Sequence, residues 1–261
     1  MTTSPPELFR LAPPVYFLSD AHLGAATPQV ARNQVERLHG LLNEIEQQGR
    51  TLVIVGDLFD FWYEWKFVIP KQHIPILFRL KVLLDRGIAI HYLAGNHDFR
   101  LHGFLETIIG LQIHSDAMIG DIQGQRIFIF HGDGVLTKDH GYRMLRRVLR
   151  NRLAQRGFSW IHPDLGMRLA RGTSVTSRKY ERGGAEDDRD YLAFAQRKFG
   201  ESFDGVVMGH THRPLEHHEG SHTYVNLGDW ITRFTYGLHD GTSLRLLHWR
   251  DDVAMQAPAG E

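Results

Sequence analysis

The chain has 261 residues with 30 basic and 30 acidic side chains, so its formal net charge is zero and bulk charge selects no partner. Hydrophobic residues make up 42% and charged residues 23%, the balance of a globular domain with a sizeable core. There is no cysteine, which excludes disulfides, thiolate metal sites and a cysteine nucleophile and fits a reducing compartment.

Residues 1–14 are polar and proline-containing and lack the pattern of a signal peptide. No apolar run approaches the ~18 residues of a membrane span. A cytoplasmic protein is expected. Residues 15–19 form a short apolar run that ends in Asp20-Ala-His22-Leu-Gly24. From 28 to 48, Val30, Leu38, Leu41, Leu42 and Ile45 recur at helical spacing, and Gly49 stops the helix. The β-branched run 51–55 ends in Gly56-Asp57. A second helix is predicted over 74–85, and a strand over 88–93 ending in Gly95-Asn96-His97-Asp98. Strands at 126–130 and 205–208 end in His131-Gly-Asp133 and Gly209-His210-Thr-His212. Further strands are expected at 223–227, 231–236 and 244–249, paired antiparallel.

Strand–helix alternation implies α/β layering, and continuous apolar strands imply burial on both faces. Ligand sites in such sheets form beyond the carboxyl ends of the strands, so the five loops are expected to meet at one edge. The expected fold is two stacked mixed sheets flanked by helices. All of 1–261 is taken as one domain, with a helical insertion at about 139–184 and a loose tail at 257–261. Residues 141–184 carry eleven Arg or Lys, among them Arg146, Arg147, Arg150, Arg156 and Arg168, against Asp164 and Glu181 alone. Leu145, Val148, Leu149 and Leu153 form an apolar stripe through it. Such a segment either packs on the core with a solvated basic face or lies on an anionic membrane surface. It lacks the aromatic interleaving of RNA binders, so no nucleic acid is expected.

Asp20, His22, Asp57, Asn96, His131, His210 and His212 supply the mixed oxygen and nitrogen donors that first-row divalent cations take. In Asp-x-His and His-x-His, alternation on an extended segment would project both side chains the same way. Each pair alone is ordinary, but five such fragments in order after five strands are not.

This order resembles the calcineurin-like metallophosphoesterases over about residues 15–230. The resemblance implies a four-layer αββα sandwich with a helical lid. It implies that Asp20, His22, Asp57 and His212 bind one cation and that Asn96, His131 and His210 complete a second, with Asp57 bridging. Two such ions, Mn²⁺ in the branch below, make hydroxide available near neutrality and stabilise phosphoryl charge. His97 would contact the phosphoryl oxygen or protonate the leaving group, with Asp98 orienting it.

Longer blocks are similar to the UDP-2,3-diacylglucosamine diphosphatases: residues 17–24, 56–62 and 209–214, Gly141-Tyr142, and Asn226-Leu-Gly-Asp-Trp230. That branch cleaves a lipid-linked sugar nucleotide to UMP and 2,3-diacylglucosamine 1-phosphate, a step of lipid A synthesis. The resemblance assigns substrate contacts to Asn96, His97, Asp139, Tyr142, Ser177, Arg178, Lys179 and His210. It departs at His97, where many members carry Arg. A phosphodiesterase or phosphatase acting on a soluble nucleotide, and a non-catalytic scaffold, are the competing readings. Phe61, Trp62, Tyr63 and Trp65 beside Asp57 either line the groove mouth or pack in the core.

Overall fold

A computed structural model describes residues 6–135, 151–169 and 185–250. In chain order the strands are β1 (Leu8–Arg10), β2 (Val15–Leu18), β3 (Thr51–Val55), β4 (Ala89–Leu93), β5 (Gln112–His114), β6 (Met118–Ile122), β7 (Gln125–Phe130), β8 (Gly205–Met208), β9 (Leu215–Glu219), β10 (His222–Asn226), β11 (Thr235–His239) and β12 (Leu244–His248). The helices are α1 (Pro28–Gln48), α2 (Ile74–Asp85), α3 (Arg152–Ser159) and α4 (Ala185–Gly200), with a π-helical turn at Phe104–Ile109.

Two six-stranded mixed sheets stack face to face. The first runs β12-β11-β2-β3-β4-β5 and the second β1-β6-β7-β8-β10-β9. In the first, β2 to β5 pair in parallel; in the second, β7, β8 and β10 do. Every residue of β3 is buried, and its side chains alternate between two cores. Val53 and Val55 meet Val207 and Val225 between the sheets, while Leu52 and Ile54 pack under α1 and α2. Full burial of each such side chain is worth roughly 1.5–3 kcal/mol, which is why these strands tolerate no polar alternation. On the far side, Tyr191, Ala195 and Phe199 of α4 cover Phe128, Val206 and Met208. The helix–sheet–sheet–helix layering expected from the sequence is therefore present.

α1 begins with proline in its first turn and ends where the Gly49 N–H bonds the Ile45 carbonyl at 2.8 Å. Its buried face is Gln34, Leu38, Leu41, Leu42 and Ile45. Val30, expected in that stripe, is exposed.

The expected strand at 231–236 is displaced: β11 starts at Thr235. Asp229 Oδ1 accepts the backbone N–H groups of Ile231 (2.7 Å) and Arg233 (3.2 Å), which curls the preceding residues into a turn. β10 is antiparallel to β9 but parallel to β8, so the C-terminal strands are not antiparallel throughout. Strands β1, β5, β6 and β9 are additional to those expected. Of the inserted segment, α3 and residues up to 169 are described; the 257–261 tail lies outside the described residues.

Candidate metal centre

β2, β3 and β4 are neighbours in one sheet, and β7 and β8 in the other. All five end at the same rim, where the loops after them bring the candidate ligands together. Asp20, His22 and His212 offer donor atoms within 4.8 Å of one another, and so do Asp20, Asp57 and His131.

The backbone there is unusual. Asp20 (φ 52°), His22 (42°), Asp57 (53°), His210 (72°) and His212 (56°) are all left-handed. Non-glycine residues rarely adopt this region, and a cluster of them marks a site where surrounding structure enforces strain. Both members of each Asp-x-His and His-x-His pair therefore converge through left-handed turns, not through the strand alternation the sequence suggested. Asn96 is not among the left-handed residues. The loops also approach closely: a Cβ on Gly95 would strike Asp57 Oδ1, and one on Gly209 would strike Ser19 Oγ and Asp20 Oδ2.

Asp20 and Asp57 each have one oxygen held by a neighbouring loop and one turned to the cluster. Asp20 Oδ2 accepts the Ser19 hydroxyl and the His210 N–H (2.8 Å). Asp20 Oδ1 has no hydrogen bond among the described residues and faces His22 Nε2 at 3.6 Å and His212 Nε2 at 3.5 Å. Asp57 Oδ1 accepts the His97 N–H at 2.8 Å, while Oδ2 lies 3.4 Å from His131 Nε2 and 3.8 Å from His22 Nε2. Asn96 Oδ1 sits 2.9 Å from His131 Nε2 and 3.0 Å from His210 Nδ1. His131 Nδ1 donates to the Val55 carbonyl (2.8 Å), which leaves Nε2 as the ligand atom of the neutral ring. His22 Nε2 and His212 Nε2 stand 3.2 Å apart. Nitrogen and oxygen donor atoms crowded this closely in a largely buried space suit a cation held between them. The donors fit divalent metal.

The electrostatics agree. Burial alone would raise the pKa of Asp20 and Asp57, but the facing histidines outweigh it and hold both well below the usual carboxylate range. Burial pulls His131 down, yet Asp57, Asp20 and Asp133 push it up to about 10. The site is built to pair anions with positive charge.

His97 is buried and packs edge-on against His22 with ring centroids 4.7 Å apart. Its Nδ1 lies 2.6 Å from the Asp60 carbonyl oxygen and donates to it, which directs Nε2 as the proton-handling end. Asp98, expected to orient His97, is hydrogen-bonded to backbone N–H groups and to Tyr92. Its Oδ2 accepts the N–H groups of Asp57 and Gly95, both at 3.0 Å, and its Oδ1 accepts the Tyr92 hydroxyl at 2.9 Å. These bonds tie the second and third loops together, while the His97 ring bonds the Asp60 carbonyl. Burial and the Asp57 charge push Asp98 up to about 6.

Asp60 is the residue sequence reasoning missed. Its backbone orients His97, and its Oδ1 lies 3.9 Å from His22 Nδ1. The Gly56-Asp-Leu-Phe-Asp60 spacing was the available signal. The aromatic stretch divides by alternation: Trp62 joins the core under the first sheet, whereas Phe61, Tyr63 and Trp65 pack with Phe99, Phe158 and Met167. Tyr63 Oη donates to the Gln155 carbonyl (2.6 Å) and Trp65 Nε1 to that of Ile161 (3.2 Å), tying this platform to the insertion. Trp160 is 90% exposed. Asp139, Tyr142, Ser177, Arg178 and Lys179 lie outside the described residues.

The calcineurin-like phosphoesterase family model matches residues 13–214. The chain belongs to the calcineurin-like phosphoesterases. It is accordingly a metal-dependent hydrolase that uses divalent ions. Curated relatives carry the name UDP-2,3-diacylglucosamine hydrolase. That of Pseudomonas savastanoi pv. phaseolicola is 33% identical over 225 residues, 83% of this chain and 88% of the relative. That of Porphyromonas gingivalis is 28% identical over 256 residues, 91% and 98% of the two chains. That of Neisseria meningitidis serogroup B is 29% identical over 221 residues, 83% and 90%.

Proposed function

We propose that this protein hydrolyses the pyrophosphate of UDP-2,3-diacylglucosamine to UMP and 2,3-diacylglucosamine 1-phosphate, the lipid A step, using two Mn²⁺ ions. The observation that carries the reading is the similarity to hydrolases of that name along most of both chains. Asp20, His22, Asp57 and His212 would hold one ion; Asn96, His131 and His210, with Asp57 shared, would hold the other. Such ions, when bound, lower the pKa of water toward 7 and neutralise phosphoryl oxygens. Hydrolysis forms one P–O bond from water and breaks one P–O bond of the pyrophosphate bridge. His97, oriented by the Asp60 carbonyl, is in this reading the residue that hands a proton to the departing oxygen or binds a phosphoryl oxygen.

The substrate brings two acyl chains. Phe61, Tyr63 and Trp65 pack with Phe158 as a buried aromatic platform under the insertion, and in this reading that platform supports the groove that takes the acyl chains. No helix among the described residues is long and apolar enough to cross a membrane. The basic insertion is proposed to rest on the anionic cytoplasmic membrane face. Asp139, Tyr142, Ser177, Arg178 and Lys179 are proposed substrate contacts from it, with Asn96, His97 and His210.

The test is turnover of UDP-2,3-diacylglucosamine with Mn²⁺, scoring UMP. Release of UMP supports the proposal. Cleavage of a soluble nucleotide phosphodiester with none of the lipid-linked substrate would overturn it, and His97 in place of the common Arg is the feature that makes this control necessary.

A further inference from the structure

The Asn226-Leu-Gly-Asp-Trp230 motif supplies none of the candidate ligands, yet Asn226 and Trp230 are buried at the rim. The backbone N–H of Trp230 donates to the Asp20 carbonyl at 3.1 Å, and that of Leu227 to the Met208 carbonyl at 2.7 Å. Asn226 Nδ2 donates to the Gly209 carbonyl (3.1 Å), while its Oδ1 accepts the Gly228 N–H (3.2 Å). From the other side comes Gln34, only 1% exposed on the otherwise apolar buried face of α1. Its Nε2 donates to the carbonyl of Ala21 and to that of Trp230, the latter at 3.0 Å. The His210 N–H to Asp20 Oδ2 bond closes the circuit.

A buried amide among leucines is costly unless it is bonded, and apolar side chains could fill this face of α1. Here it grips the residue between Asp20 and His22, both of which sit in strained left-handed turns. We infer that Gln34 and the Asn226–Trp230 loop form a buried amide brace that sets the geometry of the Asp20, His22 and His212 cation position. Gln34 and Asn226 are positioning residues: they touch the backbone that carries the ligands, not the ion. Gln34 acts on the Asp20–His22 turn alone. Asn226 acts on Gly209 and so on both His210 and His212.

The inference rests on the two-cation reading above, and the experiment separates the two. The metal-stripped chain and the variants Gln34→Met and Asn226→Asp are titrated with Mn²⁺, with bound metal followed by electron paramagnetic resonance and calorimetry. Thermal unfolding is recorded without metal. Gln34→Met keeps length and volume but removes the donor; Asn226→Asp keeps the acceptor to Gly228 and removes the donor to Gly209. The expected result is two Mn²⁺ for the unaltered chain. In Gln34→Met one of the two binding steps weakens by about 10–100-fold, the range of outer-shell partners, and the other is unchanged. In Asn226→Asp both steps weaken. If Gln34→Met fails to fold, the Asn226→Asp result decides. Two unchanged steps in a folded variant, even with a lowered unfolding temperature, would overturn the brace while leaving the two-cation reading intact. Failure of the unaltered chain to bind two Mn²⁺ would overturn both.

Discussion

The segment 56–65 contains two halves that contrast sharply. Gly56–Asp60 carries two buried carboxylates, is left-handed at Asp57 and is tied to two other loops: Asp57 to His97 and Asp98, Asp60 to His97 and His22, and Gly56 to Asp20. Phe61–Trp65 is aromatic and attaches to the insertion by ring packing and two side-chain hydrogen bonds. The first half depends on donor atoms fixed to within tenths of an ångström. The second depends on buried area and shape. One loop thus joins the candidate metal centre to a buried aromatic cluster that packs on the insertion, and the two halves should fail differently when altered.

The largest effect is expected in the polar half. Asp57→Ala should lower kcat by more than about 10³-fold, beyond the loss of a single oxyanion donor, because in the proposed reading its carboxylate would serve both ion positions. Metal analysis should show loss of bound Mn²⁺ in parallel. His97→Ala should lower kcat by roughly 10²–10⁴-fold with metal content unchanged, the range for a proton-transfer group. Loss of metal instead would mean that His97 is a ligand. Tyr92→Phe removes one bond to Asp98 and leaves the two backbone N–H bonds. It should cost activity about tenfold or less.

The aromatic half should show the converse pattern. Phe158→Ala removes the insertion's ring from beside Tyr63 and Trp65, at centroid distances of 4.8 and 6.0 Å. KM for the diacylated substrate should rise while turnover of a short, unacylated phosphodiester stays the same. Equal losses on both substrates would dissolve the distinction between the halves.

The smallest effect lies far from both. His91 and His114, on β4 and β5, bring Nδ1 and Nε2 to 3.0 Å. Burial, then the nearby His114, holds His91 down to about 4. The unfolded chain protonates this residue near pH 6.5, so from there down to about pH 4 the unfolded state binds more protons and stability falls. His91→Leu should flatten that part of the stability–pH curve measured by denaturant unfolding.

The contrast also explains what could be read from sequence. The five loops were legible because Asp, His and Asn beside glycine after an apolar run are chemically specific, and β3 declared itself by five apolar or β-branched residues. Roles carried by backbone groups were not legible. Nothing in the letters tells that Asp98 serves backbone N–H groups, that the Asp60 carbonyl orients His97, or that a helix glutamine reaches Ala21. The pairs at 20/22 and 210/212 were read as extended because i, i+2 spacing carries no sign of φ. Short edge strands such as β1 and β5, three residues each, have too few side chains to show a period. β11 was misplaced because Ile231 and Phe234 look strand-like, while Asp229 captures the intervening N–H groups.

The central claim is that five strand tips hold cations that activate water on a phosphoester. The most direct measurement titrates the metal-stripped chain with Mn²⁺ and follows bound metal and UMP release from UDP-2,3-diacylglucosamine on the same samples. The account predicts that release rises with occupancy and levels off at two ions per chain. Full release from metal-free protein, or two tightly bound ions with no release, would contradict it.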